Sequence, residues 1–273
     1  MAKTASKQTG RQSRTNDPAA SDRRRQARAA QQAALAQAKR RRTLTQVAII
    51  GGVAVVVIAI IATAVLLGRG DSPAAGGGGG APSGTGTASV GGASVPLAIG
   101  GDVPNGVRVG SKDAKVSMDL WVDYSCPHCQ EFEATNNAAI NDLVGSGKLA
   151  VTYHNIEIVT DYGTEAGSAA ACVAVHDPAA WPTVNAALYA NHSAATDGWS
   201  ASDFASFAAS NGAGDATQKC ITDETYKGWI GDNTAASVKA GVEGTPTMFI
   251  NGQKTDTLSG QALTDRVDSL ASA

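Results

Sequence analysis

Residues 126–129 read Cys-Pro-His-Cys, a spacing of two thiols suited to reversible disulfide chemistry when the segment opens a helix. The first sulfur then stands at the helix N-terminus, and the second lies one turn in, within bonding distance. Unpaired amide N–H groups and the helix dipole favour a thiolate at Cys126. His128, protonated or donating a hydrogen bond, lowers that pKa further, and Pro127 suits the first helical turn. A stabilised thiolate leaves readily and favours the reduced state, so the disulfide form becomes an oxidant that hands its bond to other thiols. The expected roles are a mixed disulfide with substrate at Cys126 and attack on it from behind by a buried Cys129.

Zinc sites and haem attachment use the same spacing. Zinc needs two more ligands, but Cys172 and Cys220 do not form a second close pair and His128 is poorly placed to join them. Haem attachment needs a histidine after the second cysteine, where this chain has Gln130. The reading is therefore redox, with no metal and no cofactor beyond the Cys126–Cys129 disulfide itself.

The elements around the pair follow from pattern. Lys115 to Asp123 has the apolar, β-branched character of a buried strand leading into the motif. A helix follows at once, with Phe132, Ala139, Ile140 and Leu143 on one face and Gly145 as its stop. Leu149 to Ile158 reads as a second strand. From about 160 to 240 the signals are helical: Ala169 to Val175, Thr183 to Ala190, Ser202 to Asn211 ended by Gly212, and Thr222 to Ala240 ended by Gly241. Thr247 to Ile250, an Asn251-Gly252 turn, Gln253 to Leu258 and a helix from Gln261 to Leu270 close the chain. The order is β-α-β, a helical insert, then β-β-α, an α/β sheet with helices on its faces.

Upstream the composition changes sharply. Residues 1–46 carry twelve Lys or Arg against only Asp17 and Asp22, although the whole chain is close to neutral at −2. This tail reads as disordered or partly helical on an anionic membrane surface; with no aromatic residue to stack on bases, it does not read as a nucleic-acid site. Residues 47–67 carry no charge and no polar group beyond Thr63, long enough to span the roughly 30 Å core of a bilayer as one transmembrane helix. Lys39 to Arg42 precede it and only Arg69 closely follows, which puts the N-terminus in the cytoplasm and the remainder outside. An uncleaved signal anchor is expected, because the apolar run exceeds that of a cleaved signal and no small-residue cleavage site follows. Residues 68–101, rich in Gly, Ser, Ala and Pro, read as a disordered tether, and the globular domain is placed at 102–273.

Cys-Pro-His-Cys opening a helix, the helical insert, and Gly-Thr-Pro-Thr-Met-Phe-Ile-Asn-Gly over Gly244 to Gly252 together resemble the DsbA-like family of thiol–disulfide oxidoreductases. The version resembled is the bacterial membrane-anchored one, over about Val107 to Leu270. The resemblance implies a thioredoxin-like fold with an inserted helical subdomain and oxidation of cysteines in unfolded exported proteins. It further implies reoxidation by a membrane partner of the DsbB or vitamin-K-epoxide-reductase-like kind. Carried over by motif, Cys126 is the nucleophile, Cys129 the resolving thiol, His128 the tuning residue and Pro246 a cis-proline. Thr245 then offers its backbone to a substrate strand. One position departs from the pattern: many thioredoxin-fold enzymes bury an acid six residues before the first cysteine, and here that residue is Leu120. Asp123 is left either to serve from the strand end or to stand solvated there.

In an oxidising compartment Cys172 and Cys220 are expected to bridge, with two free buried thiols as the alternative. His154, His176 and His192 read as structural or surface residues and Trp121 as core, while Tyr124 and Phe132 line an apolar surface around the sulfur. A disulfide isomerase or reductase on the same fold, or a non-catalytic tethered chaperone, remain the competing functions.

Overall fold

The computed structural model describes residues 80–273. The basic tail at 1–46, the expected membrane span at 47–67 and the first part of the expected linker lie outside the described residues. Among the described residues no helix is long and apolar enough to cross a membrane.

The first folded segment corrects the expectation of a tether running to 101. Strands β1 (Gly84–Val90) and β2 (Ala93–Gly100) form an antiparallel hairpin closed at Val90 and Ala93. Its two-residue turn is Gly91-Gly92, with φ of 56° and 76°, the left-handed geometry that matches the twist of the flanking strands. A period-2 pattern lies beneath the small-residue composition: Ala88, Val90, Val95, Leu97 and Ile99 are buried, while Thr85, Thr87, Ser89 and Ser94 are exposed. Even the glycines pack, since a β-carbon at Gly86 would run into Pro178. The folded domain therefore reaches upstream at least to residue 84.

Strand β3 (Val103–Val109) continues antiparallel from β2 and pairs with β5 (Leu149–Asn155). At the centre, β4 (Val116–Val122) runs parallel to β5 and antiparallel to β6 (Thr247–Ile250), which turns into the short edge strand β7 (Gln253–Thr255). The order across the sheet is β1-β2-β3-β5-β4-β6-β7. Parallel neighbours need a crossover, and here it is α1 (Pro127–Gly145), which buries Phe132, Ile140, Leu143 and Val144. The C-terminal helix α7 (Gln261–Ala271) packs beside α1 through Leu263 and Val267.

Between β5 and β6 run α2 (Tyr162–His176), α3 (Trp181–Asn191), α4 (Ala201–Ser210), α5 (Asp215–Thr222) and α6 (Lys227–Lys239). Helix α2 is their shared spine, packed against all four others. Its Ala166, Ala169, Ala170, Ala171 and Ala174 are buried, and such small side chains let several helices approach one. Cys172 of α2 is bonded to Cys220 of α5, with Cα atoms 5.7 Å apart. The helix expected over 222–240 begins only at Lys227, because the chain turns after Thr222, and α5 before that turn was not among the expected helices. Glu224 takes a left-handed φ of 52°, and the backbone N–H and hydroxyl of Thr225 both donate back to the Cys220 carbonyl. The result is a thioredoxin-like α/β fold with a helical insertion.

Candidate active site

Cys126 is the N-cap of α1, with extended backbone (φ −81°, ψ 121°) and no side-chain capping bond of its own. Pro127 takes the first helical position, where a missing N–H leaves nothing unsatisfied. The turn is closed by the Cys126 N–H donating to the Asp123 carbonyl at 3.1 Å, and by the Gln130 N–H donating to the Cys126 carbonyl at 3.0 Å. Cys126 and Cys129 are the free thiols, while Cys172 and Cys220 are bonded to each other in the insert.

The two sulfurs are driven apart in acidity. The hydrogen bond from the Cys129 thiol lowers the Cys126 pKa to about 5, against an opposing contribution from burial, with help from Thr245 and the backbone N–H groups of Cys129 and His128. Cys129 moves the other way, because donating that bond and sitting deeper hold its thiol far above the ordinary range. His128 thus acts on the sulfur through its amide. Its ring is exposed and lines a groove.

That groove, of about 400 Å³, runs past the pair between His128, Glu131, Phe132 and Thr135 of α1 and Thr245-Pro246 opposite. The Thr245–Pro246 peptide bond is cis, and the Thr245 carbonyl accepts a hydrogen bond from the Cys126 thiol at 3.4 Å. A second depression of about 430 Å³ lies on the far side of the same two residues, so they form the ridge between two grooves. The Thr247 hydroxyl donates to the Gly244 carbonyl at 2.7 Å and closes the turn that presents this ridge.

Asp123 is neither a free acid nor a solvated one. It is fully buried, and one carboxylate oxygen accepts from the Ser125 N–H (2.8 Å) and hydroxyl (2.6 Å). The other accepts from the N–H groups of Ile158 (2.8 Å) and Val159 (3.0 Å). The carboxylate thereby fastens the loop before Cys126 to the loop after β5. Gly163 is needed beside it, since a β-carbon there would strike the Asp123 carboxylate and come up against the Ser125 hydroxyl.

Tyr124 also departs from expectation. It is fully buried and its hydroxyl donates to Asn185 Oδ1 of α3 at 2.6 Å, so it belongs to the core and lines no surface. Phe132 is likewise in the core, with one edge on the groove. His154 stacks on Trp121 with ring centroids 4.3 Å apart, and His192 pairs with Asp197 at 3.0 Å. Two residues near the pair went unnoticed in the sequence. Glu133 sits buried on the Cys129 face of α1, and Tyr189 of α3 has a buried hydroxyl without a hydrogen-bond partner among the described residues. An acid four residues past Cys129, on the apolar face of a helix, was a readable signal; Tyr189 reaches the site only through packing of the insert. Among the described residues no cluster of three or more His, Cys, Asp or Glu could hold a metal ion.

Comparisons with known proteins agree with this geometry. A family model described as Thioredoxin matches residues 102–269. The reduced form of DsbA from Mycobacterium tuberculosis is similar in structure, with a TM-score of 0.54 at 22% identity, covering 62% of this chain and 93% of that one. MdbA, a thiol-disulfide oxidoreductase from Corynebacterium matruchotii, is similar with a TM-score of 0.51 at 25% identity, covering 56% of this chain and 83% of that one. The serine/threonine-protein kinase PknE of Mycobacterium tuberculosis is 33% identical over 92 residues, 31% of this chain, and the chain spans only 16% of the kinase.

Proposed function

Because the chain belongs to the thioredoxin family, as a DsbA-like thiol–disulfide oxidoreductase, we propose that it donates disulfides to the cysteines of unfolded exported proteins outside the cytoplasm. The arrangement that carries this reading is the free Cys126 thiol at the N-cap of α1, three residues before the buried Cys129 and against the cis Thr245–Pro246 bond, a setting that acidifies Cys126 and holds Cys129 above the ordinary range.

The cycle begins with a substrate thiolate attacking the Cys126 sulfur of the Cys126–Cys129 disulfide. A mixed disulfide forms at Cys126, and Cys129 leaves and takes up a proton. A second substrate thiolate then attacks the substrate sulfur, and Cys126 departs as a thiolate whose low pKa makes it a good leaving group. The substrate has lost two electrons and the enzyme has gained them. A membrane partner of the DsbB or vitamin-K-epoxide-reductase-like kind takes the electrons away. During the exchange an extended substrate segment lies along the groove and pairs with the backbone of Thr245 as an added strand, against Pro246. The basic tail followed by an apolar span supports a single-pass membrane anchor with its N-terminus inside.

Replacing Cys129 with Ala in the full chain tests the reading in intact cells. Covalent adducts through Cys126 to exported proteins are expected to accumulate; their absence would overturn it in favour of a non-catalytic module. The redox equilibrium with glutathione decides direction. A potential close to that of a cytoplasmic thioredoxin would assign the same site to reduction or isomerisation.

A further inference from the structure

The backbone ridge at Thr245–Pro246 fixes where a substrate strand lies, but backbone pairing reads no side chain. Which segments are accepted is decided by the walls on either side of it. On the α1 side the groove is lined by His128, Glu131, Phe132 and Thr135, with Thr257 and Ser259. Phe132 is 5% exposed, so apolar contact there is limited to its edge and the Pro246 ring. Glu131 is exposed on this wall, and no Lys or Arg lines the groove. Helix α1 contains neither residue anywhere along its length.

The depression beyond the ridge repeats this chemistry. Glu243 and Asp256 line it alongside Thr247 and Thr255. Its basic residue, Lys254, donates from Nζ to the Gly241 carbonyl at 2.9 Å and stands 3.9 Å from Glu243 Oε2. One lysine offsets at most one of the two acids, so each side of the ridge keeps an uncompensated carboxylate. Helix macrodipoles do not account for the three acids. Glu131 lies beyond the first turn of α1, and Glu243 and Asp256 lie outside the helices.

The same sign dominates at long range. Residues 80–273 carry nine Lys or Arg against twenty-one Asp or Glu, a field that draws in positive segments and repels acidic ones. The chemistry of exchange points the same way. The attacking group of the substrate is a thiolate, and carboxylate walls oppose its approach unless the segment brings positive charge with it. A Lys or Arg beside the substrate cysteine supplies that charge and also lowers the pKa of that cysteine. An extended strand sends successive side chains to opposite faces, so the neighbours of the cysteine reach both walls from one backbone.

We propose that the two grooves select exported segments in which Lys or Arg flanks the cysteine, Glu131 taking a basic side chain on the α1 side and Glu243 with Asp256 taking one beyond the ridge. The inference rests on the oxidoreductase reading and gives it a substrate class.

The test offers the oxidised full chain a set of peptides, each with two cysteines and identical except that Lys, Ser, Leu or Glu flanks the first. Oxidised peptide is counted by chromatography after acid quench. Each rate is divided by that of the same peptide with hydroxyethyl disulfide, which removes differences in the acidity of the peptide thiols themselves. At low salt the Lys peptide should exceed the Glu peptide on the order of 10-fold, with the Ser and Leu peptides between them. The two should converge at about 1 M salt, where charges are screened over roughly 3 Å. Combining Glu131→Gln, Glu243→Gln and Asp256→Asn should remove most of the preference. Combining Asp113→Asn, Asp215→Asn and Asp232→Asn, exposed acids that line neither groove, removes the same charge and should keep it. Equal rates for the Lys and Glu peptides in the unaltered protein, fastest oxidation of the Leu peptide, or the same loss in both triple variants would overturn the proposal. Should the groove variant fail to fold, Glu131→Lys alone carries the test: a reduced Lys-to-Glu ratio supports the selection and an unchanged ratio overturns it. If no peptide is oxidised at all, the oxidoreductase reading itself has failed, an outcome distinct from oxidation without preference.

Discussion

At Cys126 the energetics of folding and of chemistry are the same quantity. Its folded pKa of about 5 lies below the ordinary thiol value of 9.0, so the depressed group stabilises the reduced fold at pH values above that of the unfolded chain. That stability is lost as pH falls from about 9 towards about 5, and the disulfide form, which does not titrate there, has no matching loss. The melting temperature of the reduced protein should therefore exceed that of the oxidised protein near pH 8, with the gap closing as pH falls to about 5; scanning calorimetry of both forms across this window checks it. A gap independent of pH would mean that the thiolate is not stabilised. Asp123 works by different physics at the same scale, satisfying donors in place of exchanging protons. Asp123→Ala strands the amides of Ser125, Ile158 and Val159 in a buried place and should cost at least about 3 kcal/mol in denaturant unfolding.

Among the elements, the β1–β2 hairpin decides where the domain starts. β2 covers the edge of β3, and the hairpin buries Val90, Val95, Leu97 and Ile99 in the same core as β4 and α1. A chain begun at residue 102 would leave β3 as an open edge and expose the apolar face beneath it, so it should aggregate or melt far below one begun at residue 80. Comparing the two by size-exclusion chromatography and thermal melting tests this, and equal behaviour would show the hairpin to be dispensable. Helix α1 was legible in full, from Pro127 at its first turn to Gly145 at its end, because its signals are local. The hairpin was not. Its inward residues alternate as in any strand, but Gly and Ser between them give the composition of a tether, and only pairing with β3 and packing against Pro178 make the segment fold.

Across the whole molecule, the Cys172–Cys220 bond closes the insert over a sequence separation of 48 residues. On the chain-entropy estimate a loop of that size stabilises by about 4 kcal/mol, so the double Ala variant should lose roughly that amount while Cys126 alkylation stays as fast. Unfolding curves of the two proteins, run without reductant, measure the difference. The insert matters to the site because α3 supplies Asn185 and Tyr189 to the wall behind Cys129. That contribution shows what each level of description settles. The redox pair, the strand and helix that carry it, and the α/β order with a helical insert were determined by the sequence alone, since spacing, periodicity and caps act over a few residues. Which side chains surround the sulfurs was decided by tertiary structure. Asp123 meets Ile158 across 35 positions and Tyr124 meets Asn185 across 61. No local pattern encodes such partners, and a buried carboxylate becomes a clamp only through the donors that packing brings to it.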